Sequence, residues 1–236
     1  MTDYDGTLVP VKERPEYALP GPDLLRVLRR LAQKRRITLA VVSGRNVAEL
    51  KSLVPVPGIY LVGCHGAEYV YPGGGQFTAV DTEKLAPVLD LVADEAVRCV
   101  ADGEGFLLEH KKMSFALHYR LADPVRALQV AGDFVTAVRP LVAKYDLQII
   151  AGKKVIEVCP RTAHKGEAVR RLMALHPGFF PVYLGDDIPD EDAFRAVQGK
   201  GLGVLVSGYK KLTAASYRFQ DPHDVLRFLQ ILSARC

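Results

Sequence analysis

The sequence predicts an α/β fold interrupted by a smaller α+β insert, and three observations predict it. Continuous apolar runs alternate with amphipathic helical stretches at both ends of the chain. Between about residues 80 and 160 the order becomes helix, two strands, helix, two strands. Clusters of carboxylates, a hydroxyl and a lysine fall just after the apolar runs or at helix starts, where open α/β sheets bind ligands.

The elements follow in order. Pro22-Asp23 opens a helix in which Leu24, Leu25, Val27, Leu28 and Leu31 recur at helical spacing. Residues 37–42 form a continuous apolar, β-branched run ending at Ser43-Gly44-Arg45, the pattern of a buried parallel strand. A helix over 46–53 and a second buried strand over 59–62, stopped by Gly63, continue the alternation. After Pro72-Gly73-Gly74-Gly75 the insert begins: a helix over 82–100, strands over 106–109 and 114–120, a helix over 124–145, and strands over 147–151 and 153–158. From Lys165 the first pattern returns, with a helix to His176, a strand over 182–184, a helix over 191–197, a strand over 203–206 and a last helix from His223. The expected domains are a core over 1–80, an insert over 81–159, and the rest of the core over 160–236.

Composition excludes several classes. Hydrophobic residues are 49% and charged residues 25% of 236, enough for a full core, so disorder, collagen-like repeats and a disulfide-stapled scaffold are ruled out. A net charge of +4 is not the footprint of a nucleic-acid binder. Arg29, Arg30, Lys34, Arg35 and Arg36 read as the solvated end of a helix, where cations suit the dipole. Cys64, Cys99, Cys159 and Cys236 share no CxxC spacing, so they read as buried free thiols rather than metal or redox sites, with the C-terminal Cys236 exposed. No apolar run approaches the roughly 18–20 residues of a membrane span, and the first motif lies almost at the start, so no membrane contact, no signal peptide and a cytoplasmic home are expected.

Four groups carry the chemistry: Asp3-Tyr4-Asp5-Gly6-Thr7-Leu8, Ser43-Gly44-Arg45, Lys165-Gly166, and the run from Gly185 through Asp186, Asp187 and Asp190 to Asp192. Singly, they also fit a solvated turn, a helix cap and an acidic helix start. Together, converging carboxylates repel unless a cation joins them. Hard oxygen donors with little sulfur or imidazole favour Mg²⁺. The spacing of Asp3 and Asp5 puts both side chains on one side of an extended segment, with the turn at Gly6 able to aim backbone N–H groups at an anion.

These groups, in this order, resemble the four motifs of the haloacid-dehalogenase-like (HAD) phosphohydrolases. Cys64-His65-Gly66-Ala67-Glu68, Glu109-His110-Lys111, His118-Tyr119-Arg120, Val155-Ile156-Glu157-Val158-Cys159-Pro160, Gly203-Val204-Leu205-Val206-Ser207 and Thr213-Ala214-Ala215-Ser216-Tyr217 resemble the trehalose-6-phosphate phosphatase family within them. The resemblance implies a Rossmann-like core with a parallel sheet, an inserted α+β cap, and Mg²⁺-dependent hydrolysis of trehalose 6-phosphate through an aspartyl-phosphate. It implies Asp3 as nucleophile, Asp5 as general acid and base, and Ser43 and Lys165 as phosphoryl partners. The Mg²⁺ ligands would be Asp3, the Asp5 carbonyl and Asp186, with Asp187 or Asp190 supporting them. Glu109, Lys111 and Glu157 would read the sugar, with Arg45, His65 and Arg120 as further substrate contacts. Glu109, Lys111 and Glu157 also fit plain strand-surface charge, His65 a satisfied core histidine, and Arg120 a cap-stabilising side chain.

The implied partners are a small sugar phosphate and a trehalose-6-phosphate synthase, and a monomer is expected. The alternatives are a phosphatase of glucosyl- or mannosyl-phosphoglycerate or of sucrose phosphate, and a non-catalytic sugar-phosphate sensor. Two departures stand out. Only Met1 and Thr2 precede Asp3, where the family's nucleophile ends a buried strand, so a few N-terminal residues are expected to be lacking. Cys159 stands where the family more often has Arg before the Pro.

Overall fold

The computed structural model describes residues 1–101 and 103–235, so Cys236 lies outside the described residues. In chain order the first elements are α1 (Pro22–Ala32), β1 (Ala40–Val42), α2 (Val47–Leu53), β2 (Tyr60–Gly63), β3 (Glu68–Val70) and β4 (Gln76–Thr78). Then come α3 (Thr82–Val100), β5 (Leu107–His110), β6 (Phe115–His118), α4 (Pro124–Lys144), β7 (Leu147–Gly152) and β8 (Val155–Pro160). The chain closes with α5 (Lys165–Leu175), β9 (Val182–Gly185), α6 (Asp190–Val197), β10 (Leu202–Val206), β11 (Tyr217–Phe219) and α7 (Pro222–Arg235). No described helix is long and apolar enough to cross a membrane.

Two compact units result, one of residues 1–78 with 164 onward and one of residues 79–163. The second edge falls at 163 rather than 159. The Gln148 amide on β7 donates to the carbonyls of Pro160 and Ala163, and Arg161 pairs with Asp146 at 3.0 Å, so 160–163 stay with the insert.

In the first unit β1 and β2 run parallel, as do β9, β10 and β11. Between β1 and β9 lie only Met1, Thr2 and Asp3. The Thr2 N–H donates to Ala40 O at 2.9 Å and its carbonyl accepts from Val42 N–H at 2.9 Å. On the other side Asp3 N–H reaches Leu184 O at 2.8 Å and Leu184 N–H reaches Met1 O at 3.1 Å. These three residues thus take the place of a central strand and supply ladder bonds to both neighbours.

Side-chain alternation sends Val41, Leu184, Val204 and Val206 into one cluster with Leu24, Val27, Leu28 and Leu31 of α1 and Val225 and Leu229 of α7. It sends Ala40, Val42, Tyr183 and Leu205 into another with Val169 and Leu172 of α5 and Phe194 and Val197 of α6. Helices therefore cover both sheet faces, which is why these strands are apolar throughout. Two details differ from expectation. The run at 37–42 contributes only Ala40–Val42 as strand, because Ile37 N–H turns back to Lys34 O. Beyond β2 the sheet turns antiparallel through β3 and β4, because connections of a few residues cannot make the crossover a parallel pair needs.

The second unit is a four-stranded antiparallel sheet in the order β5-β6-β8-β7. Phe115 and Leu117 of its central strand are buried with Leu89 and Val92 of α3 and Val130 and Phe134 of α4, and the Phe115 and Phe134 rings lie 6.2 Å apart. The opposite face of the sheet carries Glu109, His118 and Glu157, with Ala116 between them in the register.

Candidate active site

Asp3 ends the short stretch between β1 and β9, with its side chain buried at the carboxyl ends of the strands. Lys165 is the first residue of α5, whose start is capped by His164 accepting from Glu167 N–H at 3.3 Å. Gly166 lets that start press close to α6, since a Cβ there would lie 2.7 Å from the Asp192 carbonyl. Lys165 Nζ thereby sits 2.8 Å from Asp3 Oδ1 and 2.7 Å from Asp190 Oδ1.

Asp190 is saturated by protein donors. Besides Lys165, its Oδ1 accepts the Tyr183 hydroxyl at 2.7 Å, and its Oδ2 accepts the N–H groups of Asp186 and Asp187 at 2.9 and 3.0 Å. It fixes the end of β9 and the lysine rather than presenting oxygens outward. Burial drives the Asp3 pKa well up, the Asp190 and Asp186 charges add to that, and Lys165 only partly opposes it. Burial would likewise lower Lys165 and raise Asp190. Their mutual contact, with the Asp187 N–H and Tyr183 hydroxyl on Asp190, outweighs it, so the amine stays charged and Asp190 lies below the ordinary carboxylate range.

Carboxylate oxygens of Asp3, Asp186 and Asp190 lie within 4.8 Å of one another. Three acids against one ammonium leave an excess of negative charge among buried, hard oxygen donors. That donor set fits a small divalent cation, held by Asp3 and Asp186 since Asp190 is already filled. Thr7 Oγ1 donates to Asp186 Oδ1 at 3.2 Å and Lys211 Nζ donates to the Asp186 carbonyl at 2.9 Å, fixing that residue from two sides. Gly6, at φ +85°, is needed here because a Cβ would overlap the Asp186 carboxylate.

Ser43 follows β1, and its hydroxyl accepts from Arg45 N–H at 3.2 Å, which leaves its proton for another acceptor. His65, at φ 57°, backs this loop: its N–H donates to Ser43 O at 2.9 Å, and a Cβ on Gly44 would come 2.7 Å from its Nε2. Arg45 grips Asp5 through both carboxylate oxygens, at 2.7 and 2.8 Å.

In the insert, one register row joins Glu109, Ala116 and Glu157, so these share a sheet face with Lys111, Ser114 and His118. Lys111 Nζ lies 3.3 Å from Glu157 and 3.6 Å from Glu109. The Ser114 hydroxyl donates to Glu157, and His118 Nε2 lies 2.9 Å from Glu109. Burial alone would raise Glu109, yet His118 and Lys111 hold its pKa below the usual value.

The structure thus brings together Asp3, Lys165, Asp186 and Asp190, and, in the other unit, Glu109, Lys111 and Glu157. Asp187 enters through its backbone N–H. Arg120 does not join its neighbours: it is exposed and its guanidinium donates to the Lys153 carbonyl. Nothing in the residue pattern points to Tyr183, inside an apolar strand run, to Ser114, just before one, or to Lys211, in an irregular stretch. Only the acidic run beside the Tyr183 strand hinted that a hydroxyl there would find a partner. Of the thiols, Cys64 and Cys159 are buried as expected, whereas Cys99 is only half-buried.

A family profile described as Trehalose-phosphatase matches residues 1–223. The chain is 33% identical to the probable trehalose-phosphate phosphatase D of Arabidopsis thaliana, over 98% of this chain and 65% of that protein. It is 34% identical to the trehalose-phosphate phosphatase of Mycobacterium tuberculosis, over 98% of this chain and 60% of that one. The chain spans only 18% to 65% of the length of the curated relatives it matches. Its fold superimposes on the C-terminal domain of Candida albicans trehalose-6-phosphate phosphatase with TM-score 0.86 and 28% identity, covering all of this chain and 92% of that one.

Proposed function

The chain belongs to the trehalose-phosphatase family, and on that premise we propose that it hydrolyses trehalose 6-phosphate to trehalose and phosphate. The observation that carries this reading is the Asp3 carboxylate, buried 2.8 Å from the Lys165 ammonium at the strand ends. Asp3 attacks phosphorus in line and takes the phosphoryl group as an aspartyl-phosphate, which water then cleaves. Lys165, fixed by Asp190, offsets charge on the nucleophile and the phosphoryl oxygens, and Ser43 donates its hydroxyl proton to one of those oxygens. Asp5 gives a proton to the departing sugar oxygen and later takes one from water.

Mg²⁺ would be held by Asp3, Asp186 and the Asp5 carbonyl, with Asp187 nearby and Asp190 acting through Lys165 and the backbone, and it would neutralise phosphoryl charge. The insert is the cap, in which Glu109, Lys111 and Glu157 hydrogen-bond sugar hydroxyls, their charge making each bond strong once water is excluded. His65 supports the serine loop, and Arg120 stabilises the cap sheet. The same reading makes the protein a cytoplasmic monomer supplied by a trehalose-6-phosphate synthase.

The test is phosphate release from trehalose 6-phosphate with Mg²⁺ and with EDTA, beside glucose 6-phosphate and sucrose 6-phosphate. Release that needs Mg²⁺, is confined to trehalose 6-phosphate and vanishes in Asp3→Asn is the expected result. Roughly tenfold higher kcat/KM on another sugar phosphate, about 1.4 kcal/mol in transition-state binding, would transfer the assignment to that substrate. Silence on every ester would favour a sensor.

A further inference from the structure

We propose that Arg45 is a positioning residue for proton delivery by Asp5, an inference that rests on the phosphatase reading above. Four contacts fix the guanidinium. Its Nε and one terminal nitrogen hold the two Asp5 oxygens at 2.7 and 2.8 Å, and that same nitrogen donates to the Pro15 carbonyl at 2.7 Å. Its central carbon Cζ also lies 5.3 Å from the centre of the Tyr4 ring, whose hydroxyl donates to Ala18 O at 2.9 Å. Arg45 is buried, whereas the Asp5 side chain is 35% exposed, so the arginine is the anchored partner and the acid the one able to turn.

A planar two-point grip sets the plane of the carboxyl group, which a lysine's single point charge could not do. With both oxygens engaged, Asp5 cannot reach a leaving group. It can release one oxygen while the other stays on Arg45. The released oxygen, carrying the proton that Asp5 takes from the attacking water of the preceding turnover or from solvent, then faces the ester oxygen. As the P–O bond breaks, its electron pair takes the Asp5 proton, and the carboxylate left behind closes again onto both guanidinium N–H groups. Arg45 itself touches no reacting atom.

The leaving group separates this role from a structural one. A sugar alkoxide needs a proton to depart, whereas p-nitrophenolate leaves without one. The value of kcat/KM reports the steps through phosphoryl transfer to Asp3 and not the later hydrolysis. In Arg45→Gln, kcat/KM on trehalose 6-phosphate should fall about 10²-fold, while that on p-nitrophenyl phosphate falls at least tenfold less. Adding Arg45→Gln to Asp5→Asn should cost nothing further on the sugar ester.

Equal losses on both esters, or no loss on either, overturn the proposal, as does full additivity with Asp5→Asn. If Arg45→Gln does not fold, Arg45→Lys makes the same comparison, because it keeps the charge and loses the two-point grip. If the wild type ignores trehalose 6-phosphate, the underlying assignment falls. The same ratio taken on any alkyl phosphate it does hydrolyse still judges Arg45.

Discussion

Lys165 sits between two buried carboxylates, so removing it should damage both the fold and the chemistry. Lys165→Met leaves Asp3 and Asp190 without their cation, which should cost about 3–5 kcal/mol in urea unfolding. Phosphate release should fall about 10²–10³-fold in the same variant. Gly6→Ala is subtler: the new methyl group would displace the Asp186 carboxylate, so Mg²⁺ activation should weaken several-fold in a metal titration while the fold survives. Asp3, Asp5, Ser43, Lys165 and Asp186 were legible in the sequence because each falls at a strand end or helix start. Roles were harder to read than positions. Nothing in the order of residues says that Asp190 spends its oxygens on Tyr183, Lys165 and two backbone amides, because that depends on partners far along the chain.

Among the elements, the polar face of the insert sheet carries its own pH dependence. Glu109 is held below its unfolded value, so its contribution to stability is complete above about pH 4.3 and is lost as pH falls through the folded value. Since the side chain is partly exposed, that contribution is less than about 1 kcal/mol. The stability gap between wild type and Glu109→Gln should therefore narrow on acidification from neutral pH, read by denaturant midpoints across the series. The long helices α3 and α4 were legible almost to the residue, because 19 and 21 residues of period 3.6 outvote any local ambiguity. β3, β4 and β11 were not, being three residues each. β4 is exposed throughout, so no buried face marks it, and three residues are too few to establish a period.

For the molecule as a whole, binding of a cation to the folded state alone must raise its stability. Mg²⁺ at 100 times its dissociation constant should add about 2.7 kcal/mol, seen as a higher Tm, and Asp186→Asn should erase the gain. The α/β grammar and the insert were legible because each half carries its own pattern. What the pattern could not convey is how the two halves of the sheet meet, at Thr2, bridged on one side to Val41 and on the other to Leu184. That seam has a consequence in time. A ribosome making this chain must extend it past Leu184 before the last ladder can zip, so the nascent β1–β4 half waits with a bare edge for more than a hundred residues of synthesis. The insert, whose strand pairings among the described residues all fall within 79–163, can finish first.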